Sequence, residues 1–143
     1  MLNQLVVVVH HLTHRKKMPF LILNELKQSN IHGLGVFSLE NIRKGTIVYK
    51  HDKILDGWFD NMDYNAAITM LIKKYCPYDS SINKFIKSCD NVNWMNHSNE
   101  PNLSAPTYYV HIASRNILVG EELTVNYKEV SDVSDKTEWM IHD

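Results

Sequence analysis

The chain has 143 residues, 44% of them apolar, with 15 Lys and Arg against 16 Asp and Glu and a formal charge of -1. That size fits one domain burying roughly two thirds of its unfolded surface and argues against a second, while the scattered basic residues offer no footprint for a phosphate backbone, so no nucleic-acid partner is expected. Cys76 and Cys89, the two cysteines, form neither a CxxC pair nor a zinc cluster, which argues against a disulfide scaffold and a structural metal and suits a reducing, cytoplasmic setting.

In chain order, residues 1–17 read as an N-terminal extension. Its apolar run, Leu5 to Val9, is too short for a signal segment or a membrane span, so a soluble protein without a membrane partner is expected. His10, His11 and His14 place an i, i+4 histidine pair on one helix face, but the zinc-protease pattern needs Glu where His11 stands, and the segment reads as a solvated tail. A domain follows over 18–130. "FLILNEL" (20–26) and "GTIVYK" (45–50) are short, β-rich and punctuated by Gly and Asn, and read as strands. "DYNAAITMLIKKY" (63–75) carries Ile68, Leu71, Ile72 and Tyr75 at helical spacing, with Asp63 as N-cap and lysines in the last turn. "SINKFIKS" (81–88) reads as a shorter helical piece after Pro77. β character returns in "TYYVHIA" (107–113) and "EELTVNY" (121–127), where Leu123, Val125 and Tyr127 share one face. Short strands without βαβ regularity, around a helical insert at about 51–92, predict a mostly β fold with minor helices.

Three segments carry candidate chemistry. "SNIHGLGVFS" (29–38) flanks Leu34 with Gly33 and Gly35. It lacks the third glycine and the following helix of a dinucleotide fingerprint, so it reads either as a turn with positive φ or as backbone brought close to a ligand. "NWMNHSNEPN" (93–102) sets Asn96 and His97 beside the apolar Trp94-Met95, where an unpaired buried amide would cost about 1–3 kcal/mol. "VGEELTVNY" (119–127) ends on Tyr127, whose hydroxyl reads either as a core tyrosine's or as one directed at a cavity. Adjacent Glu121 and Glu122 face opposite sides of a strand, with Glu122 structural and Glu121 at the surface.

Taken in order, the glycine-flanked turn, Asn-His-Ser followed by Pro-Asn, and Gly-Glu-Glu-Leu-Thr-x-x-Tyr resemble the SET domain family of protein lysine methyltransferases from about Met18 to Tyr127. The resemblance implies a β-clip fold with a C-terminal pseudoknot, in which the Asn-His segment threads a loop near the C-terminus. It implies S-adenosylmethionine as methyl donor, S-adenosylhomocysteine as product, no metal, and a protein or peptide lysine as substrate, histone or other. By the same resemblance Ile31, His32, Gly33, Leu34 and Gly35 contact the amino acid end of the cofactor. Asn96 offers it a side-chain amide, His97 gives main-chain bonds to the adenine, and Tyr127 is the catalytic tyrosine. Direct displacement at a methyl carbon asks mainly for positioning. A narrow apolar channel disfavours the charged ammonium of lysine, which otherwise dominates at neutral pH.

Departures from the family pattern narrow these expectations. Asn99 stands where a zinc-binding cysteine is frequent, so a zinc-bound lid is absent, and Trp139 in the tail 131–143 is the candidate aromatic lid over the adenine. Asn93-Trp94 replaces an Arg-Phe pair, Asn126 an Asp, and Val125 an aromatic that helps set the degree of methylation in some members. Trp58, Phe59, Tyr64, Tyr75 and Tyr78 of the insert are candidates for the substrate groove, with Tyr75 expected in the core. A peptide-binding module without turnover and a methyltransferase for another amine remain as alternatives. The expected location is cytoplasmic, with chromatin also open.

Overall fold

The computed structural model describes residues 19–132. In chain order it contains β1 (Asn24–Gln28), β2 (Leu34–Ser38), β3 (Ile47–Lys50), β4 (Gly57–Asp60), helix α1 (Ala66–Tyr75), β5 (Tyr78–Asp79) and β6 (Lys84–Lys87). A 3₁₀ turn (Asn91–Trp94), β7 (Asn96–His97), β8 (Leu103–Thr107), β9 (Val110–Ala113), β10 (Glu122–Val125) and a short helix α2 (Tyr127–Val130) complete it. The extension 1–17 and Trp139 lie outside the described residues.

Three small sheets form, with strand orders β1-β2-β10-β7, β3-β9-β8 and β4-β6-β5. The first two enclose the main core, in which Val36, Val48, Leu103, Ile117 and Leu123 are fully buried, each contributing about 1.5–3 kcal/mol of transfer free energy. β10 is covered on both faces at Leu123, Thr124 and Val125, so the polar-out alternation expected for 121–127 gives way to a buried central strand. The third sheet carries a separate cluster of Ile72, Cys76 and Phe85, against which Phe59, Tyr64 and Tyr78 pack. Cys76 is buried, Cys89 is exposed, and neither is in a disulfide.

Several elements differ from their sequence reading. The first strand begins at Asn24, while Phe20 makes only an isolated bridge to Tyr49. The α1 cap is Asn65, not Asp63: the Asn65 side-chain Oδ1 accepts from Ile68 N at 3.0 Å, which satisfies one orphan N–H of the first turn. Lys73 and Lys74 do occupy the last turn. Ile72 is buried as the pattern requires, but Ile68 and Leu71 are exposed, because a three-residue cluster offers too little surface to cover a full apolar stripe. The segment 81–88 is not helical. Asn83 takes φ +54°, which interrupts a right-handed helix, and Phe85 and Ile86 enter a strand opposite Phe59 and Trp58. The insert at 51–92 is therefore one helix with a three-stranded sheet. "TYYVHIA" is broken at Tyr108–Tyr109 by the turn of the β8–β9 hairpin, with Thr107 opposite Val110. β10 stops at Val125, and Asn126 caps α2 by accepting from Lys128 N at 3.0 Å. Tyr127 thus opens a helical turn instead of ending a strand.

Candidate active site

The turn between β1 and β2 closes through Ser29 N–H donating to Gly33 O at 2.8 Å. Gly33 sits at φ +47°, a conformation that costs a residue with a Cβ more than it costs glycine. Gly35 is required for a different reason: a Cβ there would lie 2.1 Å from Glu122 Oε1. The space it leaves admits the Glu122 carboxylate, which accepts from Ser29 Oγ at 2.9 and 2.8 Å and from Asn96 Nδ2 at 2.7 Å. Asn96, 6% exposed, also directs the same amide nitrogen at His32 O (3.0 Å) and Leu34 O (3.1 Å). Its two N–H groups are consequently spent on the turn and on Glu122, and the carbonyl oxygen is the part of the amide left for a ligand. Ile31 and Leu34 are exposed beside it. Glu121 faces the other way and pairs with Arg115 at 2.7 Å.

β7 pairs with β10 in parallel, Asn96 beside Thr124 and His97 beside Val125, while the other edge of β10 pairs with β2. Ser98 N–H extends the pairing to Val125 O at 3.0 Å. Six residues past Asn96, Asn102 bonds the same strand from its side chain: it donates to Glu122 O at 2.7 Å and accepts from Thr124 N at 2.9 Å. The Asn-His segment and the Pro-Asn segment thus both grip residues 122–125, so the crossing of β7 and β10 is held at two points.

At the end of this crossing the Tyr127 N–H donates to His97 Nδ1 at 3.2 Å. An accepting Nδ1 places the neutral imidazole's proton on Nε2, which faces Asn99 Oδ1 at 3.2 Å. The His97 and Tyr127 rings lie 5.2 Å apart, and the Tyr127 hydroxyl donates to Met95 O at 2.9 Å. Burial pushes this phenol up to about 12, with the Glu122 charge adding to the rise and a hydrogen bond at His97 opposing it. It stays protonated at neutral pH and serves as a donor, not a base.

Tyr127 lines a cavity with Met95, Val125, Tyr49, Ile86 and His111. The walls come from α2, β10, β3, β6 and β9, so the small third sheet and the two core sheets all contribute. The Tyr49 hydroxyl is fixed on Asp56 Oδ2 (3.2 Å) and Ser88 Oγ (2.9 Å). Of the insert aromatics, Tyr75 reaches the cavity, with its ring 5.5 Å from that of Trp94. Trp58 instead packs on His51 and Tyr78 on Phe85. Sequence reasoning passed over Tyr49, Asn102 and His111. Tyr49 lay within an expected strand without a mark of its own, and Asn102 stood out only as the partner of Pro101. His111 was one polar residue among apolar ones, a signal that went unused.

The structure brings Ile31 to Gly35, Asn96, His97 and Tyr127 into one neighbourhood. The crystal structure of a Plasmodium falciparum protein described as a "putative histone methyltransferase" is similar to the chain with a TM-score of 0.56 at 24% identity, over 74% of this chain and 93% of that one. No curated protein matches. The model of the SET domain matches residues 33–128, which takes in Gly33, Asn96 and Tyr127 together with the strands that hold them, and the chain belongs to the SET domain family.

Proposed function

We propose that the protein is an S-adenosylmethionine-dependent methyltransferase acting on a lysine side chain of a protein substrate. The observation that carries this reading is the Tyr127 phenol, held at the β7–β10 crossing on one side and lining a largely apolar cavity on the other. The described similarity of the fold to that of a "putative histone methyltransferase" supports a protein lysine as acceptor and makes histones a first substrate to try.

The residues present fit the cofactor. Its amino acid end carries an ammonium, which needs acceptors, and the free Asn96 carbonyl beside the exposed turn of Ile31, His32, Gly33 and Leu34 offers them. When bound, S-adenosylmethionine would supply a methyl group from whose carbon an attacking amine displaces the sulfur in line. The chain's own contribution is positioning, which accounts for much of the barrier in such displacements. Met95 O and the Tyr127 hydroxyl would offer oxygen atoms to the amine and the methyl group, and Tyr49, Ile86 and Val125 form walls that disfavour a charged ammonium. The protonated phenol keeps its direction through its bond to Met95 O. Trp139 completes the proposal as the aromatic that covers the adenine.

The test is transfer of labelled methyl from S-adenosylmethionine to a histone mixture or a proteome, compared with Tyr127→Phe. Loss of the hydroxyl is expected to slow transfer by about a hundredfold while calorimetric binding of the demethylated cofactor is retained. Cofactor binding without transfer to any amine would identify a binding module instead, and absence of cofactor binding would reject the reading altogether.

A further inference from the structure

His111, on β9, is 4% exposed and lines the same cavity as Tyr127. Its ring stacks at a tilt on Tyr49 with centroids 5.0 Å apart. Its Nδ1 is buried without a hydrogen-bond partner, although the neighbouring Tyr49 and Tyr127 hydroxyls are both satisfied. A buried polar atom left unpaired is costly, and a donor held in the cavity within reach of this nitrogen would remove that cost. Burial lowers the imidazole to about 4, so the ring is neutral at physiological pH and presents one nitrogen lone pair and one N–H.

Resting on the lysine methyltransferase reading, we propose that His111 accepts an N–H of the substrate amine inside the cavity and thereby disfavours a third methyl transfer. A neutral lysine amine has two N–H groups and one lone pair. With one N–H held by the imidazole, the lone pair is free to attack the methyl carbon; the new N–C bond forms as the C–S bond breaks, and a proton leaves the nitrogen for solvent. A monomethylamine still has one N–H for His111 and repeats the step. A neutral dimethylamine has none, so it loses this anchor.

The experiment compares wild type, His111→Leu and His111→Gln on one peptide carrying unmodified, monomethyl or dimethyl lysine, with products read by mass. Leucine fills similar space without an acceptor. It is expected to lower kcat/KM about tenfold on the first two peptides, the factor of one hydrogen bond, and to leave the dimethyl peptide unchanged. Glutamine, which keeps an acceptor, should restore part of the loss. A second readout needs no turnover and no variant: the ring-nitrogen NMR shift of His111 should move when the unmodified peptide is added to protein loaded with the demethylated cofactor. It should stay still with a norleucine peptide. An equal effect of His111→Leu on all three peptides, or a silent ring nitrogen with bound lysine peptide, would overturn the proposal while leaving methyl transfer intact. A responsive ring nitrogen in a protein that methylates no peptide would reject the methyltransferase reading and keep the amine contact.

Discussion

Gly35→Ala would drive a methyl group into the Glu122 carboxylate, and the carboxylate can yield only by leaving Ser29 and Asn96. The expected loss is about 1–3 kcal/mol in denaturant unfolding, together with weakened cofactor binding, since the turn and Asn96 are positioned by the same carboxylate. His111 gives a second prediction at this scale. The folded protein holds it near 4 against an ordinary 6.5, so between these values the unfolded chain binds the extra proton. Stability therefore falls as pH drops through that window, by up to about 1.4 kcal/mol per pH unit. The difference in unfolding free energy between wild type and His111→Leu, measured from pH 7 to pH 4, isolates this group from the carboxylates. The space that Gly35 leaves for Glu122 had no local signal, whereas Gly33 was legible in the sequence as a turn glycine because a positive φ favours glycine. His111 was not, because a lone histidine in an apolar strand looks the same whether it faces core or cavity.

At the scale of elements, α1 is weakly anchored. Ile72 is its one fully buried residue, and Ile68, Met70 and Leu71 are exposed. Asn65→Ala removes its cap and should cost the helix about 1 kcal/mol. Amide exchange in 66–75 should then accelerate while exchange in β2 and β10 does not, since weakly packed elements open locally without global unfolding. The helix itself could be read from sequence because its period persists for three turns. β6 could not: the adjacent apolar pair Phe85-Ile86 satisfies a helix or a doubly covered strand equally, and its partner β4 lies more than twenty residues away. The turn at Tyr108–Tyr109 was hidden for a related reason, since it contains none of the Gly, Pro, Asn or Asp that usually mark one. Tyr127 was singled out by its motif, while its place in a capped helical turn is set by Asn126, whose side chain favours that cap over another strand residue.

For the whole molecule the decisive feature is that segments near 35, 96, 102 and 124 meet on one strand. Asn102, 4% exposed, ties two of them, and Asn102→Ala would leave the Thr124 N–H and Glu122 carbonyl unpaired. A loss of about 3 kcal/mol is expected, and thermal stability and cofactor affinity should fall together, unlike the rate-only defect expected of Tyr127→Phe. Mass-action stabilisation by added cofactor should recover part of that loss. The fold class was legible because alternating short apolar runs leave few architectures. The crossing was expected only through resemblance, because no local pattern encodes which distant strands will run parallel.

β10 ends at Val125, close to the C-terminal end of the described chain, yet it forms the spine of the first sheet. A growing polypeptide therefore lacks the piece that joins its earlier strands until residues 122–125 have been made, and the hairpin of β1 and β2 must wait with an open edge. Closure of the first sheet is thus expected in one late step, when residues 122–125 pair with β2 and β7 together.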